Sequence, residues 1–227
     1  GGRGGNKKGK EVGGEEEEEK SASTSSQYRD RAQERRENSN NQNEEGDLDG
    51  LAALLTERAA AGGRVIAAIA GAPGSGKSTV ADALAERLNA GRAGMAAVLP
   101  MDGYHYDDLH LVPAGLRPRK GAPETFDVGG LYHTLKRIRA RDEDFVAVPV
   151  FDRDIEIARA GARMIASDTP VIIVEGNYLL LERAPWSRLR PLFDVAVLVD
   201  VPEPVLRARL TARWQHYNLT PDQIAWK

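Results

Sequence analysis

Cysteine is absent from the 227 residues. Its absence excludes disulfides and thiolate metal sites and suits a reducing compartment, so the expected location is cytoplasmic. There is no run of about 18 apolar residues that could form a membrane-spanning helix, and no apolar stretch near the N-terminus that would serve as a secretory signal. No excess of one charge exists either: 31 Lys and Arg stand against 34 Asp and Glu, a formal net charge of −3. That balance argues against a nucleic-acid or membrane partner for the chain as a whole. It leaves the oligomeric state open, a homodimer included.

Apolar residues are scarce in residues 1–47, where Val12, Ala22, Tyr28 and Ala32 are nearly all of them. A segment built from Gly, Glu, Lys, Ser, Asn and Gln cannot bury enough surface to offset its ordering entropy, so residues 1–47 are expected to be a disordered low-complexity tail. Tyr28-Arg-Asp-Arg-Ala-Gln-Glu-Arg-Arg36 is its one organised stretch. It resembles segments of eukaryotic splicing-associated RNA-binding proteins over nine residues. It reads as a short helix or basic arm for RNA or a partner, or as a low-complexity segment foreign to the body that follows.

What is present begins at Leu48. Leu48, Leu51, Leu54 and Leu55 have helical spacing, and Gly62-Gly63 ends that helix. Val65–Ala70 reads as a buried strand, Thr79–Leu88 as a helix, and between them lies Gly71-Ala72-Pro73-Gly74-Ser75-Gly76-Lys77-Ser78, a full match to G-x-x-x-x-G-K-[ST] followed by Thr79. Glycines let such a loop turn tightly, its N–H groups converge on phosphates, and the helix dipole favours their charge. Lys77 is placed to sit between β- and γ-phosphates and Ser78 to put its hydroxyl on Mg²⁺. Further strands are expected at Met95–Leu99, Val146–Val150, Val171–Val174 and Val195–Val199. Helices are expected at Gly129–Ala140 and at Val205–Tyr217, the latter with Pro204 in its first turn. Alternating apolar strands and helices predict an α/β fold, a three-layer α/β/α P-loop NTPase with a parallel sheet, over residues 48–227. Ligands of such sheets bind beyond the carboxyl ends of the strands. Charged residues follow four of them: Asp102 and its neighbours, Phe151-Asp-Arg-Asp154, Glu175 and Asp200.

Residues 64–217 resemble the phosphoribulokinase/uridine kinase family, which includes bacterial pantothenate kinase. The matching residues are Gly71–Thr79, Met101-Asp-Gly-Tyr-His-Tyr106, Arg119-Lys-Gly-Ala-Pro-Glu-Thr-Phe-Asp127, Pro149-Val-Phe-Asp-Arg153, Val174-Glu-Gly176 and Asp200-Val-Pro202. The second and third sets are most similar to the bacterial nucleoside/nucleotide kinase-like, fructose-transport-associated branch. The resemblance implies an ATP- and Mg²⁺-dependent kinase acting on a hydroxyl of a small molecule, a sugar or sugar-like metabolite, with a nucleoside such as uridine or pantothenate as alternatives. An ATP-binding regulatory protein is the reading from another class. Asp102 speaks against it, because a pure switch needs no base for an acceptor hydroxyl.

By the same resemblance Asp102 is the catalytic carboxylate, or else a loop cap. Glu175 follows its strand as a metal-holding acid does, or pairs with Lys77. Arg153 falls where the family has a substrate-contacting basic group, or is a surface arginine. Arg119 and Lys120 clamp an anionic substrate or solvate their loop. Tyr104, His105, Tyr106 and His110 are candidates for the substrate pocket. Asp127 caps the following helix or meets a substrate hydroxyl. Arg209 and Arg213, four apart, share a helix face and in related kinases would reach the ATP phosphates from a lid, whereas Arg207 points elsewhere. Trp186 and Phe193 read as packing. Family members continue beyond the last helix to a further strand, so a body shortened at its C-terminus is also expected.

Overall fold

The computed structural model describes residues 45–216, with side chains through 212. The readings of residues 1–44, and of the chain beyond 216, lie outside the described residues. Contacts divide the chain into two units, Gly1–Asp47 and Leu48–Lys227.

Its frame is a four-stranded parallel sheet in the order β2-β5-β1-β6, formed by β1 (Val65–Gly71), β2 (Ala96–Pro100), β5 (Val171–Gly176) and β6 (Val195–Val199). β1 and β5 are buried along their whole length, as strands covered on both faces must be, and apart from Glu175 their residues are apolar without alternation for that reason. Odd and even positions go to opposite cores. Val65, Ala67, Ile69, Val171 and Ile173 pack with Leu55 of α1 (45–60) and with Ala81, Leu84 and Leu88 of α2 (Lys77–Gly91). Ile66, Ala68, Ala70, Ile172 and Val174 pack with Leu131, Leu135 and Ile138 of α4 (Val128–Ala140) and with Trp186, Leu189 and Phe193. The three layers expected from the sequence are therefore present, and Trp186 and Phe193 are packing residues. A short α3 (Asp108–Leu111) precedes α4, and α5 (Glu203–His216) follows β6.

One strand was misplaced by the sequence pattern. The Val146–Val150 segment lies in β3 (Phe145–Asp152), which is not part of the parallel sheet. It pairs antiparallel with β4 (Ile157–Ala166) in a separate two-stranded hairpin, with a register shift between Val148 and Val150. β4 escaped the sequence reading because most of it is exposed, it carries Arg159 and Arg163, and it passes through Gly161 at φ 61°. Val146, Val148 and Ile165 turn into the α4-side core and anchor the hairpin there.

The start of β1 is fastened by a buried arginine. Arg64, 5% exposed, donates through Nε to Thr169 O, through Nη1 to Ile138 O and through Nη2 to Ala166 O and Ser167 O. One side chain thus satisfies carbonyls near the end of α4 and past the end of β4. Burial first, and the Arg141 charge next, lower its pKa to about 10, so the guanidinium remains charged at neutral pH. Arg64→Met should cost about 2–4 kcal/mol, because it strands several buried acceptors together. Urea unfolding would show it as a lowered midpoint with an unchanged slope.

Candidate active site

Three strand ends and the hairpin converge on one cavity of about 220 Å³, lined by Ser78, Asp82, Val98, Pro100, Asp102, Val150, Phe151, Arg153, Arg163 and Glu175. The loop after β1 forms its nucleotide side. Gly76 takes φ 90° as the residue before α2, a conformation only glycine adopts without strain. A side-chain carbon at Gly71 would lie 2.5 Å from Ser75 Oγ and 2.9 Å from Val199 O, so the loop closes against the end of β6 only with glycine there. α2 opens directly at Lys77, leaving its first N–H groups without intrahelical acceptors.

Two observations bear on whether this loop suits a nucleotide and its metal. Ser75 Oγ is buried without a hydrogen-bond partner, an orphan polar atom inside the loop. Ser78 Oγ donates to Glu175 Oε2 at 3.2 Å, which joins the first turn of α2 to the end of β5. A hydroxyl and a carboxylate so placed are hard oxygen donors of the kind Mg²⁺ takes along with phosphate oxygens. The residues present fit MgATP.

Glu175 is buried, 7% exposed. Burial first, then the charge of Asp102, raise its carboxyl above the ordinary glutamate value; the Lys77 charge and the Ser78 hydrogen bond pull the other way. The folded state therefore favours the protonated form. Its stabilising contribution is full below the pKa of an unfolded glutamate and is lost as pH rises through the raised folded value. Glu175→Gln removes that dependence. The variant should melt above the parent at neutral pH without ligand, and the difference should shrink towards about pH 4; calorimetry across that range checks it. A difference constant with pH would contradict the assignment.

Asp102 sits in the single turn Met101–Tyr104 that follows β2. Its Oδ2 accepts from Arg153 Nη2 at 2.5 Å. The carboxylate after β2 and the arginine after β3, 51 residues apart, thus meet at the cavity. The turn is held on both sides. Gly103 lies against the hairpin so closely that a side-chain carbon would fall 2.4 Å from Pro149 O. The His105 ring packs at a tilt against Phe126 and Phe151, at 4.1 and 4.5 Å between centroids, with Nδ1 2.7 Å from Asp102 O. Burial lowers the His105 pKa, so the ring is neutral at pH 7 and holds the turn by a hydrogen bond and packing.

The other predicted site residues are placed as follows. Tyr104 is 6% exposed and belongs to the core on the α4 side. Tyr106 packs edge-on against His110. Arg119 pairs with Glu124 at 2.6 Å. Lys120 Nζ is tied to Asp108 at 2.8 Å and to Glu156 O at 2.7 Å, latching the loop to the hairpin tip. Asp127 caps α4, accepting from Gly130 N. None of these five lines the cavity. Arg209 of α5 donates to Gly74 O at 3.2 Å, and Leu210 packs on the same loop glycine; Arg207 pairs with Glu203 on the helix surface. Arg213 lies in α5, its side chain outside the described residues. Asp200, after β6, is exposed and does not line the cavity. Two charged lining residues were not singled out from the sequence. Asp82 lies one helical turn after Ser78, a spacing that could have revealed it. Arg163 comes from β4, the unread strand.

A parallel sheet with a glycine-rich phosphate loop after β1 and carboxylates after its two neighbours on one side is the fold of P-loop kinases. A crystal structure described as a "putative fructose transport system kinase" from Silicibacter sp. TM1040 superposes with a TM-score of 0.68 and 42% identity, over 77% of this chain and 86% of that one. The phosphoribulokinase/uridine kinase family profile matches residues 65–213, and the chain belongs to that family. A Schizosaccharomyces pombe protein named "putative uridine kinase C227.14" is 35% identical over 156 residues, 66% of each chain. The chain therefore spans just under two thirds of that relative's length. A uridine kinase of Staphylococcus epidermidis is 34% identical over 161 residues, 70% of this chain and 73% of that one. Residues 6–68 match the profile of the RED-like protein N-terminal region. Among the described residues no helix is long and apolar enough to cross a membrane.

Proposed function

We propose that residues 48–227 form an ATP- and Mg²⁺-dependent kinase that phosphorylates a hydroxyl of a small sugar or sugar-like metabolite. The observation that carries this reading is the Asp102 carboxylate, held by Arg153 at the cavity that also contains Ser78 and Glu175. A nucleotide-binding switch has no use for an acid presented there. Bound MgATP would supply an electrophilic γ-phosphorus whose charge is partly neutralised by the metal. The loop residues Gly71–Thr79 would hold its phosphates, and Ser78 and Glu175 its metal. Asp102 would orient the acceptor hydroxyl and take its proton at Oδ, while the hydrogen bond from Arg153 keeps the carboxylate aimed. Arg209, already on the loop carbonyls, would stiffen the phosphate cradle.

The test is ADP formation by the purified chain with Mg²⁺ against sugars, uridine, pantothenate and glycerate. Stimulation by a sugar supports the full reading. Stimulation by uridine or pantothenate keeps the kinase and replaces the acceptor class. ATP binding without acceptor-dependent turnover removes the kinase.

A further inference from the structure

The sequence offered Arg119 and Lys120 as the clamp for an anionic substrate, and the fold commits both elsewhere: Arg119 to Glu124, Lys120 to Asp108 and the hairpin tip. A different cation faces the acceptor space. Arg163 projects from β4, opposite Val148 in the register that turns inward, and lines the cavity with Asp102 and Arg153. Its Nη1 donates to Val98 O at 2.5 Å. No carboxylate pairs with it among the described residues, whereas Arg153 is neutralised by Asp102. A guanidinium carries five N–H donors in a planar fork. Anchored through one nitrogen to a strand carbonyl, half-buried, and without a counter-charge, it presents the rest of that fork to whatever enters.

Building on the kinase reading above, we propose that Arg163 determines acceptor specificity, and that the acceptor carries, besides its reacting hydroxyl, a carboxylate or phosphate group that binds this fork. The remaining acids of the cavity do not fill the role. Glu175 lies beside Ser78 at the nucleotide end, and Asp82 is exposed on α2 without an ion pair to Arg163. A neutral acceptor would leave a partly desolvated cation uncompensated, and an anionic one would gain charge-assisted, bidentate hydrogen bonds.

The experiment is calorimetric titration of the full chain, in Mg²⁺ and a non-hydrolysable ATP analogue, with matched probes: D-glycerate against glycerol, pantothenate against pantothenol, fructose 6-phosphate against fructose. In at least one pair the anion should bind ten- to a hundredfold more tightly. Arg163→Met should erase that preference while leaving the neutral member's affinity within about threefold. Arg163→Lys should keep more of a phosphate preference than of a carboxylate one, which separates the two anion sources. A side chain that only tethers β4 to β2 through Val98 O would weaken both members of a pair alike. The proposal is overturned if no anion outbinds its neutral partner, or if the preference survives in Arg163→Met. Because binding is read without turnover, a chain that proves inactive with every acceptor would sink the kinase reading and still leave this result decisive.

Discussion

Lys77→Ala should reduce acceptor-stimulated ADP formation by 10²–10³-fold or more, the range for removing one preorganised group that stabilises transition-state charge. Lys77 opens α2 directly after Gly76, so its backbone lies where the helix dipole is positive. Its charge also reaches Glu175, where it opposes the effects of burial and of Asp102. The substitution therefore acts twice. It would remove the cation that the kinase reading places at the transferring phosphoryl group, and it pushes Glu175 further towards the protonated form, in which a carboxyl is a poor metal ligand. The second effect gives the variant a signature: the Mg²⁺ concentration for half-maximal activity should rise together with the loss in rate. Lys77→Arg should not rescue, since a planar fork does not replace a compact ammonium in a tight loop. Turnover within a few-fold of the parent would remove Lys77 from the mechanism.

Asp102→Asn should lower kcat on the order of 10²–10⁴-fold, as expected for loss of a general base, with nucleotide affinity unchanged. The amide can still accept from Arg153 through its oxygen, so the turn Met101–Tyr104, already fixed by Gly103 against Pro149 and by the His105 ring, should keep its shape. What disappears is the capacity to take a proton. KM for ATP and the melting temperature are the controls, and both should hold. If kcat holds instead, the carboxylate only props up Arg153, and Arg153→Gln would then have the larger effect.

The parts of the molecule that were readable in the sequence are those in which one local pattern implies one environment. β1 and the Val171–Val174 part of β5 are short unbroken apolar runs because both faces of the sheet are covered there, and β6 is a run of the same kind although Leu198 stands exposed on it. The loop Gly71–Ser78 is a backbone device whose glycines and lysine are fixed by the shape of a phosphate. The hairpin follows no such rule. β3 is as apolar as a parallel strand, yet pairs only with β4, whose two arginines and Gly161 disguise it as a loop. Charge was ambiguous for a similar reason. Arg119, Lys120 and Arg163 look alike in a sequence, and only folding decides that Glu124, Asp108 and Glu156 occupy the first two and that the third is left facing the cavity.

The hairpin's separation from the parallel sheet divides the tolerance of the chain to change. Substitutions along β1 and β5 disturb two cores at once, whereas most of β4 touches neither. Cavity-lining residues of the hairpin such as Arg163 should therefore be exchangeable with little loss of fold stability, while the phosphate loop stays intact. A library confined to residues 154–163 should yield folded proteins at high frequency and altered acceptor preference among them. One of randomised β5 should yield mostly insoluble chains. Should that hold, diversification of substrate in this architecture is a matter of editing one peripheral ribbon.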